Sequence, residues 1–225
     1  MFCVVDLETT SGNVSNAEIL SGTFLAIDST FLILDEYQIK CRPRKWTEEA
    51  NESTKIHGIT QQMTIGLPLF SEVQDELFKW FKKFMFKHFV CHAKRDMYGK
   101  KTTFDHAVIR LNLFPSAQYW DFVNMFNERN IISTHSLASY LDKKYNFEKK
   151  DLKTVARQLG VKLENHHDDR EDAIACYEIF KIMFPQVNLT EFINWDYYKI
   201  EVLNEDSTRT RKRNPKKPRG IKAFA

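Results

Sequence analysis

The sequence is poor in cysteine and has no long apolar run. Cys3, Cys41, Cys91 and Cys176 stand far apart, form no CxxC pair and have no histidine at zinc-ligand spacing. This excludes a disulfide framework and a zinc-finger module, and the four are expected as reduced, mostly buried thiols. No window approaches the apolar length that crosses a bilayer, and the N-terminus lacks the basic-then-apolar pattern of a signal peptide. The chain is therefore expected to stay in the compartment where it is made, the cytoplasm. No internal repeat is present. Acids are missing from one place: RTRKRNPKKPRGIKAFA carries eight Lys/Arg from Arg209 to Lys222 and no Asp or Glu. Without those eight the formal charge of +3 becomes −5.

What is there fits one packed α/β or α+β domain plus an extension: 225 residues, 43% hydrophobic. FCVVDLE reads as a first strand, and GTFLAID and TFLILDEYQIKC as two more around a polar Asp28-Ser29 turn. Three consecutive strands point to an antiparallel start. TEEANESTKIHGIT suits a short helix capped by Thr47 and ending near Gly58. Phe70, Val73, Leu77, Phe81, Phe84 and Met85 recur at helical spacing. FVCHA is read as a fourth strand, KRDMYGKKTT as an exposed loop, FDHAVIRLNL as a helix and AQYWDFVN as a fifth strand. Three helices follow: STHSLASYLDKKY with Ser133 as cap, KKDLKTVARQLG stopped by Gly160, and DDREDAIACYEIFKIMF from near Asp168. The expected fold is a mixed sheet flanked by helices. It is expected to span residues 1–184, followed by an aromatic-rich extension at 185–206 and a basic disordered tail at 207–225.

Asp6 and Glu8 lie two apart at the end of the first strand, so their side chains share a face. Taken alone, a DxE of this kind is more often a solvated strand end. A cation between the two carboxylates would relieve their repulsion, and such oxygen donors suit Mg²⁺ or Mn²⁺. Two other stretches keep company with this pair. His167 and Asp172 lie five apart across the start of the last helix, and Asp105 follows Phe104 at the head of the middle one.

Asp6-Leu7-Glu8, Phe104-Asp105 and His167 with Asp172, taken in this order, resemble the three motifs of the DnaQ-like DEDDh 3′–5′ exonucleases. IHGIT, residues 56–60, resembles the segment this family places between its early strands and its long helix. The resemblance covers residues 2–184. It implies an α/β, RNase H-like mixed five-stranded sheet, its first three strands antiparallel, flanked by helices. It implies Asp6, Glu8, Asp105 and Asp172 as ligands of two divalent ions, Mg²⁺ or Mn²⁺, and His167 as general base. Leu7 and Thr9 would border the 3′-terminal nucleotide of a nucleic acid with a free 3′ end, expected to be single-stranded. His57 would either approach that nucleotide or serve as a hydrogen-bonded structural histidine.

The middle motif departs from the family's compact HNxxFD. Ala93 stands where Asn is usual, and His92 and Asp105 are thirteen apart. KRDMYGKKTT is read as an insertion near the site, with Lys94, Arg95, Lys100 and Lys101 as candidate phosphate contacts and Asp96 as the rival of Asp105. His166 has a surface or capping role as its alternative, and Asp168 and Asp169 are read as helix caps.

The basic tail would raise affinity for nucleic acid at low salt, and KRNPKKPRG has the composition of a nuclear-localisation patch. QVNLTEF, residues 186–192, matches the spacing of sliding-clamp-binding peptides, which would tie the chain to a polymerase or clamp; the alternative is a strand or helix added to the domain. The favoured function is a metal-dependent exonuclease of the DNA proofreading or repair type. An inert nucleic-acid-binding module, an endonuclease on the same fold and an RNA-specific exoribonuclease are the alternatives.

Overall fold

The apolar N-terminal run becomes the central strand of a mixed sheet. In the computed structural model, which describes residues 1–95 and 102–196, the strands are β1 (Phe2–Thr9), β2 (Ile19–Ile27), β3 (Ile33–Lys40), β4 (His88–Cys91) and β5 (Ile131–Ser133). Their order is β3-β2-β1-β4-β5. The β1/β2 and β2/β3 pairs are antiparallel, and β1/β4 and β4/β5 are parallel. The first three strands thus run as expected, and β3 has the alternating exposure of an edge strand.

The helices are α1 (Glu48–His57), α2 (Gln61–Thr64), α3 (Phe70–Phe84), α4 (Phe104–Leu113), α5 (Gln118–Met125), α6 (Thr134–Tyr140), α7 (Asp142–Tyr145), α8 (Leu152–Leu159) and α9 (Asp169–Met183). Thr47, Ser133, Asp151 and Asp168 cap α1, α6, α8 and α9 through side-chain oxygens. Gly58 and Gly160 end α1 and α8 in the left-handed region, where a side chain would be strained. Among the described residues no helix is long and apolar enough to cross a membrane.

One expectation fails. AQYWDFVN is part of helix α5, and the fifth strand is the short Ile131–Ser133. Phe122 and Phe126, four apart, are both fully buried, which is helical spacing; the aromatic content that suggests a strand is outweighed by which face can pack.

Alternation along β1 divides the core. Cys3, Val5 and Leu7 pack with Leu77, Phe81, Val108 and Phe122 of α3, α4 and α5. Phe2 and Val4 pack on the opposite face with Leu137, Val155, Cys176 and Phe180 of α6, α8 and α9.

The packed unit runs past residue 184, at least to Asp196. Residues 189–196 are helical. Phe192 is fully buried in the α9-side core, with Phe192 and Trp195 edge-on to Tyr140 at 5.6 and 5.0 Å. Gln186 donates to the Tyr145 hydroxyl (2.6 Å) and accepts from Lys144 Nζ (2.6 Å). The clamp-like reading of 186–192 is corrected on this point, because its aromatic, Phe192, is buried in the core and its exposed Gln186 is tied to Tyr145 and Lys144. The basic tail lies outside the described residues.

Candidate active site

Asp6 and Glu8 continue the β1 face of Phe2 and Val4, the face covered by α9. In register, Asp6 pairs with Thr23 and Glu8 with Ser21 of β2. Those two β2 residues are buried and polar within an otherwise apolar strand. Their hydroxyls donate to the Asp169 carboxylate, Ser21 Oγ at 2.8 Å and Thr23 Oγ1 at 2.6 Å. Asp169 thereby fastens the first turn of α9 to the two rungs that carry Asp6 and Glu8. Asp172, three residues on and therefore on the same helix face, is brought to them: ligand oxygens of Asp6, Glu8 and Asp172 lie within 4.8 Å of one another. Arg170 adds a two-pronged ion pair to Glu36 of β3, at 2.7 and 3.0 Å.

Asp105 arrives from the other side of the sheet on α4. The helix start is tied to β4 by Cys91 Sγ donating to Thr103 Oγ1 at 3.2 Å. His106 Nε2 must donate to the Phe126 carbonyl (2.6 Å), so Nδ1 accepts from Thr102 Oγ1 (2.7 Å). Burial lowers the His106 pKa to about 4, so the ring holds this neutral form. Asp105 itself is buried, and its charge is the strongest like-charge influence on Asp6.

The electrostatics are those of a pocket short of positive charge. Burial first, then Asp105, Asp172 and Glu8, push the Asp6 carboxyl well above its ordinary value. Glu8 is pushed up to about 9 by burial and then by Asp172, and Asp105 to about 6 chiefly by burial. Clustered carboxylates with oxygen donors only are the donor set of a hard divalent cation such as Mg²⁺ or Mn²⁺, so the residues present fit such ions.

The segment before α9 bears the histidines. Asn165 donates from its backbone and side-chain nitrogens to Glu171 (2.7 and 2.8 Å), closing the turn. His167 adopts φ +76°, a left-handed conformation that costs a non-glycine residue about 1–2 kcal/mol. Neighbouring side chains usually diverge, but here the two rings stack at 3.8 Å and 18°. The His167 backbone N–H donates to Asp172 Oδ2 at 3.0 Å, and His166 Nδ1 lies 3.0 Å from both Asp172 oxygens. Burial, then the His166 and Lys153 charges, lower the His167 pKa against an opposing pull from Asp172, so the ring is neutral at neutral pH.

The remaining expected residues fare differently. Leu7 points away from the acids into the α3/α4 core, so a side-chain contact with substrate is corrected by strand alternation; a Cβ on Gly22 would come within 2.5 Å of its Cδ2. Thr9 is buried and its hydroxyl donates to the Ser11 carbonyl at 2.9 Å. His57 Nδ1 accepts from Ile59 N–H (3.0 Å), which leaves Nε2–H to donate to the Thr9 carbonyl (3.2 Å): both ring nitrogens are engaged within the chain, the structural alternative. His92 bridges Thr134 Oγ1 (2.8 Å) and the Lys150 carbonyl (2.9 Å), with its pKa lowered to about 4 by burial.

Lys94 is exposed. Arg95 is corrected: it is buried, paired with Asp196 at 2.6 Å, and donates to the Ile131 carbonyl at 3.0 Å and to that of Glu128, so it fastens the helical segment 189–196 to the sheet instead of facing a phosphate. Asp96, Lys100 and Lys101 lie outside the described residues. Sequence reasoning did not find the anchoring role of Asp169 or the contact of His166 with Asp172. The available signal for the first was the pair of polar residues, Ser21 and Thr23, interrupting an apolar strand.

The profile of the exonuclease family (RNase T) matches residues 3–180. The chain is similar to the DNA polymerase III PolC-type of Clostridium perfringens (strain 13 / Type A), 28% identical over 205 residues, covering 91% of this chain and 12% of that protein. Its fold resembles E. coli exonuclease I in complex with a dT13 oligonucleotide, with TM-score 0.62, 16% identity and coverage of 82% of this chain and 42% of that one. It also resembles the nuclease domain of 3′hExo, a DEDDh family member bound to rAMP, with TM-score 0.57, 19% identity and coverage of 82% and 92%. The chain therefore spans about an eighth of the polymerase and less than half of exonuclease I. With the profile covering most of its length and Asp6, Glu8 and Asp172 gathered at one end of β1, the chain belongs to the exonuclease (RNase T) family.

Proposed function

We propose that the protein removes nucleotides from the 3′ end of single-stranded DNA in a reaction that needs two divalent cations, Mg²⁺ or Mn²⁺. The observation that carries this reading is the approach of Asp172 to Asp6 and Glu8, with His167 on the turn leading into the same helix. Asp6, Glu8, Asp105 and Asp172 would hold the cations. When bound, a pair of such ions would neutralise charge on the phosphoryl oxygens and ease ionisation of water. His167 accepts the proton of the attacking water at a ring nitrogen, which its lowered pKa keeps free at neutral pH. Asp169 holds Asp172 in place through α9 and touches no reacting atom.

DNA is favoured over RNA by the likeness to a DNA polymerase and to exonuclease I with an oligodeoxynucleotide. The likeness to 3′hExo with rAMP supports the RNA alternative. Lys94 and the basic run from Arg209 to Lys222 would add sequence-independent affinity for the strand. The test is digestion of 5′-labelled single-stranded DNA and RNA in Mg²⁺ or Mn²⁺ by the wild type, Asp6→Ala and His167→Ala. A ladder shortening from the 3′ end of DNA, lost in both variants, is expected. Activity that survives Asp6→Ala overturns the mechanism, and a ladder on RNA alone overturns the substrate.

A further inference from the structure

Asp172 belongs to two groups of potential ligands. One is the carboxylate set with Asp6 and Glu8; the other is His166, His167 and Asp172, whose ligand atoms also lie within 4.8 Å of one another. We propose that His166, His167 and Asp172 form a second cation site, suited to a borderline ion such as Zn²⁺, whose occupation withdraws Asp172 from the carboxylate set and so shuts the enzyme down.

The chemistry of the two sets differs. Asp6, Glu8 and Asp172 offer oxygen only and favour Mg²⁺ or Mn²⁺, whereas imidazole nitrogen favours zinc. Two imidazoles and one carboxylate are three protein ligands, the number found in zinc sites that keep a fourth position for water. The geometry is close to what is needed. With zinc–ligand bonds of about 2.0–2.2 Å, tetrahedral ligands stand roughly 3.3–3.5 Å apart. His166 Nδ1 is already 3.0 Å from each Asp172 oxygen through its hydrogen, so the ion takes the place of that hydrogen as the pair widens by a few tenths of an ångström. His167 is held alongside by its left-handed backbone; the two rings stack at 3.8 Å and 18°, which sets their in-plane lone pairs side by side, so one ring turns out of the stack for both nitrogens to reach the ion. The turn is closed by Asn165 on Glu171 and capped by Asp168, so the backbone that carries the ligands is ordered before any ion arrives. For zinc to bind, Nδ1 of His166 presents its lone pair and the ring carries its hydrogen on Nε2.

Binding rests on this geometry alone; the inhibition rests on the exonuclease reading above. The 225-residue chain is stripped of metal and titrated with Zn²⁺ against a competing zinc-responsive dye, in the absence of magnesium. Tight uptake is expected in the wild type, weakened at least about tenfold in His166→Ala and held within about threefold in Asp6→Ala. Equal affinity in the wild type and His166→Ala overturns the site, as does an equal loss in Asp6→Ala. A measurement on the unmutated protein guards against a misfolded variant: the ¹⁵N-histidine side-chain resonances of both His166 and His167 should shift with Zn²⁺ and not with Mg²⁺. Absence of that shift overturns the site. Zinc should then suppress Mg²⁺-driven digestion; zinc binding as described in a protein with no nuclease activity would support the site and overturn the exonuclease reading.

Discussion

Two arms deliver ligands to the strand that carries Asp6 and Glu8, and they are anchored by different chemistry. The α9 arm, which carries Asp172, is fixed across the sheet by charge: Asp169 on Ser21 and Thr23, and the half-exposed Arg170 on Glu36. The α4 arm, which carries Asp105, is fixed by neutral bonds among buried groups, Cys91 with Thr103 and Thr102 with His106 and the Phe126 carbonyl. Arg95, near the start of the stretch read as an insertion, is locked by Asp196. Neutral local anchoring lets the α4 arm tolerate the loss of the compact family motif. Asp105 is placed by its neighbours Thr103 and His106, bonded to Cys91 and to the Phe126 carbonyl on either side of the lengthened stretch, so a longer chain between His92 and Phe104 need not move it. Asp172 depends instead on a contact made across 146–148 residues of sequence.

The most direct way to break the comparison is to remove each arm's ligand. Asp172→Asn and Asp105→Asn should each lower kcat/KM about 10³-fold, the loss expected when several kcal/mol of charge stabilisation disappears. Steady-state rates on a labelled oligonucleotide would measure it. A loss under about tenfold in Asp105→Asn would end the case for this arm and return the middle ligand to Asp96.

Stability should separate the arms next. Arg95→Ala leaves Asp196 buried and unpaired, and urea unfolding should show a loss of roughly 3–5 kcal/mol. A loss below about 1 kcal/mol would mean that the pair contributes little to the α4 side.

Asp169→Ala should weaken Mg²⁺ or Mn²⁺ binding by about 10–100-fold, as removal of a group that orients a ligand does. Calorimetric titration with Mn²⁺ would read it. Unchanged affinity would show that the α9 arm holds Asp172 without the bridge to β2.

A pH series tests the charge at the junction of the two arms. The Glu8 carboxyl is raised in the folded protein to about 9 and that of Asp105 to about 6, both above their unfolded values. The folded state therefore binds more protons than the unfolded one between those limits, and stability falls as pH rises. In a chelator the melting temperature should drop steadily from about pH 4.5 to about pH 9, and Mg²⁺ should restore it. A metal-free protein whose melting temperature rises over that range would contradict the repulsive cluster. The smallest effect belongs to Arg170→Ala, about 0.2–1 kcal/mol by urea unfolding, because Arg170 is more than half exposed. A loss above about 2 kcal/mol would make the exposed pair a principal anchor of α9.

Much of this was legible in the chain itself. Strand and helix spacing placed Asp6 and Glu8 on one face, Asp105 at the head of a helix and Asp172 in the first turn of another, because those directions follow from local periodicity. Local periodicity was also present for α5 in Phe122 and Phe126, where β-forming aromatics masked it. Arg95 was misread because a basic residue in a polar stretch has no mark of burial; its partner Asp196 stands 101 residues away.

Local sequence fixes which side chains stand at the ends of which elements and the order in which the acids occur. Which ends meet follows from packing: Asp169 on β2, His166 against Asp172, Phe192 inside the core. The physical reason is range. Side-chain direction is set within a few residues by backbone geometry, whereas desolvation and pairing of charge depend on elements brought together by packing of the whole core.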